Sequence, residues 1–289
     1  MATPDRQATT LALAHALSAA ERGLAVIPLS RTKLPALRSP HRDDPAPPFC
    51  HGECGRFGHG VHDASTDPSR IRALFAAAPW ATGYGIACGL PPHHLIGVDL
   101  DTKSDTDSPA ALRELALRHL FTIPPTVVVL TPGGGRHLWL TGPPDAVVPN
   151  SAGRLAPGID IRGAGGYLVG PGSRTRHGIY TTAPGTAHLA PAPCPPTLLR
   201  LLLPPLRTRH RPAPDTPDAH GRGLVRFVLA AHEGQRNTRL FWAACRAYEN
   251  GLGPALLNPL LEAAQTTGLT SQEARTTIAS AARLTGHHP

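Results

Sequence analysis

Proline punctuates this chain so densely that regular structure is confined to short stretches. There are 33 prolines among 289 residues, roughly twice the usual share. Each one fixes its own φ, removes a backbone donor and restricts the residue before it, so long loops and interrupted helices are expected. Residues 191–218 are the clearest shift in composition, rich in Pro and Arg, and read as a connection between domains. Before it, apolar spacing predicts helices over 8–22, 66–78 and 109–120. Strands are expected at 24–29, 84–88, 95–100, 126–130, 137–140, 159–161, 167–169 and 178–181. After the connection, helices are expected at 222–232, 237–250, 254–266 and 271–284. The chain therefore reads as an α+β domain over 1–205, a linker over 206–218 and a small all-α domain over 219–289. An antiparallel sheet is expected to carry the functional face of the first.

The net charge is +8 with a pI near 9.8, which favours polyanionic partners or anionic substrates without naming one. Only Lys33 and Lys103 are lysines among the 28 basic residues. No apolar run approaches the roughly 18 residues of a membrane span, and the first ten residues lack a signal-peptide layout. Five cysteines, an odd number with two of them clustered, argue against a disulfide framework and for a reducing, cytoplasmic setting.

Three short motifs carry the chemistry. In Leu95-Ile-Gly-Val-Asp99-Leu-Asp101, the two carboxylates lie two residues apart and share one face of a strand. Such a pair is costly unless a cation such as Mg²⁺ or Mn²⁺ lies between them; the other reading is a strand end opening a turn. Thr131-Pro-Gly-Gly-Gly-Arg136-His137-Leu-Trp-Leu140 reads either as a glycine loop cradling phosphate beside Arg136 and His137, or as a hairpin turn before an edge strand. His137 and Trp139 would share one face, with Leu138 and Leu140 turned to the core. In Gly158-Ile-Asp160-Ile-Arg162, Asp160 alternates with isoleucines. It could complete a carboxylate triad from a neighbouring strand, or form a plain ion pair with Arg162.

Ahead of them lies Cys50-His51-Gly-Glu-Cys54 followed by His59 and His62. Two Cys and three His within thirteen positions suit a tetrahedral structural zinc site, with Cys50, Cys54, His59 and His62 as the expected ligands and His51 spare. Cys88, Cys194 and Cys245 read as ordinary buried or incidental thiols.

Taken in order, these motifs resemble the bifunctional DNA primase/polymerase family of the archaeo-eukaryotic primase superfamily. That family's pattern is hhhDxD/E, then small-x-His, then hD. It corresponds here to Asp99 and Asp101, Gly135-Arg136-His137, and Ile159-Asp160. The resemblance extends to the entry strand with Lys33, to Gly85–Gly89, and to Pro171-Gly-Ser173 with Gly178-Ile-Tyr180. Glu233-Gly234 and the helices after it are similar to a helical module found after primase domains, with a template-binding or partner-docking role.

The resemblance implies a primase-like core with an RRM-like mixed or antiparallel sheet and two-metal nucleotidyl transfer. Asp99, Asp101 and Asp160 would hold Mg²⁺ or Mn²⁺. His137 would meet the incoming NTP or dNTP, and Lys33, Arg136 and Arg162 would contact phosphate. The implied partners are single-stranded or primed DNA template and, since no Walker motif follows, a helicase in trans. Two alternatives stand beside it. One is a catalytically silent DNA-binding replication accessory; the other is a haloacid-dehalogenase-type phosphatase, suggested by Asp99-Leu-Asp101-Thr102 but missing its late acidic pair.

Overall fold

The computed structural model describes residues 6–44, 50–102, 107–204 and 217–285, with side chains from 221 onward in the last stretch. The chain divides into two compact units, Met1–Pro205 and Leu206–Pro289. Most of the linker expected at 206–218 lies outside the described residues.

Among its described residues, unit one has four α-helices: α1 (Arg6–Glu21), α2 (Pro68–Ala77), α3 (Ser108–His119) and α4 (Pro196–Leu202). Its first sheet has three antiparallel strands in the order β1 (Val26–Leu29), β2 (Gly83–Ala87) and β7 (Tyr167–Val169). The second sheet is larger. It runs β10 (Thr181–Thr182), β4 (Val128–Leu130), β5 (Arg136–Thr141), β3 (Leu95–Leu100) and β6 (Ile159–Arg162), with β11 (Ala192–Pro193) parallel to the end of β5. A hairpin of β8 (Arg174–Thr175) and β9 (Gly178–Ile179) stands apart. The strand expected at 178–181 is thus two short pieces serving different partners.

Alternation along β3 explains the layering. Ile96, Val98 and Leu100 point into one core with Ile159, Ile161, Leu112, Leu115, Leu198 and Leu202. Leu95 and Trp139 belong to the other core, with α1, α2 and the three-stranded sheet. Gly97 lies on that second face because a Cβ there would stand 2.6 Å from Leu168 Cδ2, so only glycine lets β7's side chain seat against β3. His137 and Trp139 do share a face, but that face is covered too: Trp139 is 1% exposed. β5 is a central strand, not an edge, with β4 and β3 on its two sides.

Helix starts follow local chemistry. Asp67 accepts the N–H groups of Ser69 and Arg70 ahead of α2, and Asp107 accepts that of Ala110 ahead of α3. The segment 191–204 departs from the expected linker: it supplies β11 and α4. Pro195-Pro196 opens that helix, because a residue without N–H loses nothing in the first turn.

Unit two contains α5 (Pro217–Leu229), α6 (Arg236–Glu249), α7 (Gly253–Thr266) and α8 (Ser271–Leu284) around one core centred on Leu240, Ala244, Leu260 and Ile278. Thr270 and Glu273 form a reciprocal capping box at α8. No helix among the described residues is long and apolar enough to cross a membrane.

Candidate active site and metal centre

Strand register brings the dispersed motifs together. Asp99 is paired with His137 on β5 and with Asp160 on β6, so the three side chains form one row across three strands on one face. His137 Nε2 lies 3.5 Å from Asp99 Oδ1. Arg162 donates to Asp99 Oδ2 at 3.3 Å and to Asp160 Oδ2 at 3.2 Å. Asp160 Oδ1 also accepts the backbone N–H of Gly153 at 3.0 Å.

Asp99 and Asp101 line a cavity of about 390 Å³ with Lys33, Thr131, Pro132, Gly133, His137, Thr175, His177 and Tyr180. Asp160, Arg136 and Arg162 are not part of its wall. Arg162 pairs with two carboxylates of the row. The glycine turn is a connection between β4 and β5, closed by the Thr131 N–H donating to the Gly135 carbonyl and the Gly135 N–H donating to Thr131 Oγ1, both at 3.0 Å. Gly135 is required by Leu100: a Cβ would come within 2.5 Å of its carbonyl oxygen. Pro132 and Gly133 alone of this turn's prolines and glycines reach the cavity.

The electrostatics follow from burial. His137 is 4% exposed, and burial holds its imidazole below the ordinary value, opposed by the nearby Asp99 charge. Asp160 is held above the usual carboxylate value, first by burial and only secondarily by Asp99 and Asp101. Tyr180, whose ring centroid is 5.5 Å from that of His137, has its phenol pushed up to about 12 by burial and by the same two carboxylates. Thr131, which opens the glycine turn, and Tyr180, which ends the stretch Gly178-Ile-Tyr180, also line the cavity. Thr175 and His177 were not expected there, and nothing in their local sequence marks them, since the fold alone brings them to the cavity.

Lys33 reaches the wall from a turn in which its own backbone is left-handed, φ 70°. Its carbonyl accepts the Tyr167 hydroxyl at 3.0 Å, which fixes that unusual conformation.

The Cys/His loop forms a second cluster. Ligand atoms of His41, Cys50, Cys54 and His59 all lie within 4.8 Å of one another. His62 falls outside this group, its ring tilted 48° to that of His51 with centroids 4.1 Å apart, and His41 stands in the place expected for it. The donor set suits zinc. His41 turns a buried Nε2 with no partner toward the group, while its Nδ1 meets Asp44 Oδ2 at 3.0 Å. His59 Nε2 lies 3.4 Å from Cys54 Sγ, and its Nδ1 lies 3.5 Å from buried Asp63. Two carboxylates each backing a histidine are the usual orienting shell of a zinc site. The Cys54 thiol is drawn down to about 6, mainly by the Arg56 backbone N–H donating to it.

The carboxylate row thus stands beside a cavity on a mixed α/β core. The model of the bifunctional DNA primase/polymerase N-terminal (Prim-Pol) family matches residues 16–197, and the chain belongs to that family. No curated protein matches the chain. Membership implies a metal-dependent nucleotidyltransferase-type enzyme of the primase/polymerase kind.

Proposed function

We propose that residues 1–205 catalyse template-directed nucleotidyl transfer in DNA replication. Residues 206–218 would be the linker and 219–289 a helical domain serving template or partner binding. The row Asp160–Asp99–His137, with Asp101 in the adjoining cavity wall, is the observation that carries this reading.

Asp99, Asp101 and Asp160 have the donor chemistry for Mg²⁺ or Mn²⁺. Bound cations of that kind supply Lewis-acid stabilisation of a triphosphate and of an attacking 3′-hydroxyl. The protein's part is to position the reactants. Lys33 presents its ammonium to the triphosphate. His137 is kept neutral by burial, so its imidazole can hydrogen-bond the nucleotide without adding charge. Arg162 holds Asp99 and Asp160 together when no cation does. DNA template, primed or single-stranded, and NTP or dNTP are the substrates this reading requires, with a helicase acting in trans.

Zinc held by His41, Cys50, Cys54 and His59 would be structural, tying down the loop over 40–65. All five cysteines are free thiols, which suits a reducing cytoplasm.

One observation favours a second reading. Arg162 already compensates two of the three carboxylates, as it would in a DNA-binding accessory without turnover. Incubation with primed template, labelled dNTP or NTP and Mn²⁺ separates the two: extension supports polymerase chemistry, and template binding without extension supports the accessory.

A further inference from the structure

Two stretches of sequence without a single carboxylate meet beside the cavity. No Asp or Glu occurs between Glu21 and Asp43, or between Asp160 and Asp215. The first contributes the turn holding Arg31, Lys33 and Leu34; the second contributes the β8–β9 hairpin with Arg174, Arg176 and His177. The backbone N–H of Arg176 donates to the carbonyl of Arg31 at 3.1 Å, fastening hairpin to turn. Arg174 is anchored in turn by its N–H to the Thr82 carbonyl at 2.9 Å.

The division of labour among these cations is informative. Lys33 and His177 line the cavity, whereas Arg31, Arg174 and Arg176 do not. The three arginines are exposed and form no ion pair among the described residues. They lie outside the cavity wall that holds Lys33 and His177, so the anion that meets both sets is longer than a triphosphate. Apolar side chains accompany them: Leu34 is 63% exposed and Ile179 is 46% exposed. Ile179 is the register partner of Arg174, so the two share one face of the hairpin. Cations interleaved with exposed apolar groups match a strand that alternates phosphates with sugar and base faces.

We propose that the Arg31–Leu34 turn and the Arg174–Ile179 hairpin form the track for a single DNA strand leading to the cavity. Arg31, Arg174 and Arg176 contact successive phosphates, and Leu34 and Ile179 meet sugars and bases. This rests on the polymerase reading for its choice of partner, but binding along the track needs no turnover.

The test is equilibrium binding of the full chain to a fluorescent oligo(dT), without nucleotide or added divalent cation, from 50 to 200 mM salt. For Arg174→Ala/Arg176→Ala we expect affinity to fall about tenfold at 100 mM. Each phosphate contact on single-stranded DNA contributes about 0.7 to the slope of log affinity against log salt, so the slope should flatten by about 1.4. Affinity for a fluorescent dNTP should change less than twofold, and Arg174→Lys/Arg176→Lys should retain most DNA binding. An unchanged DNA affinity and slope in a folded Ala variant overturns the proposal. So does equal loss of dNTP binding, which would place these arginines at the nucleotide. Because the assay contains no reaction, its failure and a failure of polymerase chemistry are seen separately.

Discussion

Asp99 and Asp160 stand opposite each other in register on adjacent antiparallel strands, and the Arg162 guanidinium donates to both. Without that bridge, two carboxylates would face each other on a half-buried surface. Arg162→Ala should therefore lower the melting temperature by about 3–6 °C in metal-free buffer. Millimolar Mn²⁺ should return more of that loss than it adds to the parent, because a cation substitutes for the guanidinium. Melting curves with and without Mn²⁺ check this; equal Mn²⁺ responses would mean that the carboxylates do not share a cation.

Acid–base behaviour of the row has opposite signs at its two ends. Asp160 is held above its ordinary 3.8, so the folded state keeps its proton more tightly than the unfolded chain. Its contribution is full below about 3.8 and is lost as pH rises through the folded value. Asp160→Asn should melt about 1–3 °C above the parent at pH 7–8, with the gain shrinking toward pH 4. His137 is held below 6.5, so its contribution is present above 6.5 and is lost as pH falls through the folded value. His137→Gln should flatten the decline in melting temperature between pH 7 and 5. A parallel shift at all pH values would contradict both assignments.

Zinc content discriminates the ligand sets directly. Purified protein should carry about one zinc per chain, lost in His41→Ala and Cys54→Ser and kept in His62→Ala, as measured by elemental mass spectrometry. The parent should also lose thermal stability on chelation. Retention of zinc in His41→Ala with loss in His62→Ala would restore the set expected from spacing.

Packing of the two sheets depends on Gly97. Gly97→Ala places a methyl group against Leu168 at a distance neither β3 nor β7 can relax cheaply. It should cost about 1–3 kcal/mol in urea unfolding. A neutral result would show that the sheets are less closely seated than described.

Much of this architecture is legible in the residues themselves, because strand alternation is a local signal. Leu95–Leu100 and Ser271–Leu284 occupy the spans their patterns predict. The same alternation that sends Ile159 and Ile161 inward puts Asp160 on the row with Asp99. What stays hidden depends on distance or on ambiguous punctuation. α4 is masked by Pro195 and Pro196, which read as linker although proline is at home in a first turn. His41 lies nine residues before Cys50, outside the tight motif, and its pairing with Asp44 acquires meaning only once the loop closes. Thr175 and His177 reach the cavity through long-range topology, for which no local pattern exists.

The central claim is that Asp99 and Asp101 serve nucleotidyl transfer. Its most direct test is primer extension on a single-stranded template with labelled nucleotide and Mg²⁺ or Mn²⁺, comparing the parent with Asp101→Asn. The parent should extend the primer, and Asp101→Asn should lose at least a hundredfold in rate while melting at or above the parent temperature. Extension by Asp101→Asn at the parental rate, or no extension by folded, metal-supplied parent protein that binds the template, would contradict it.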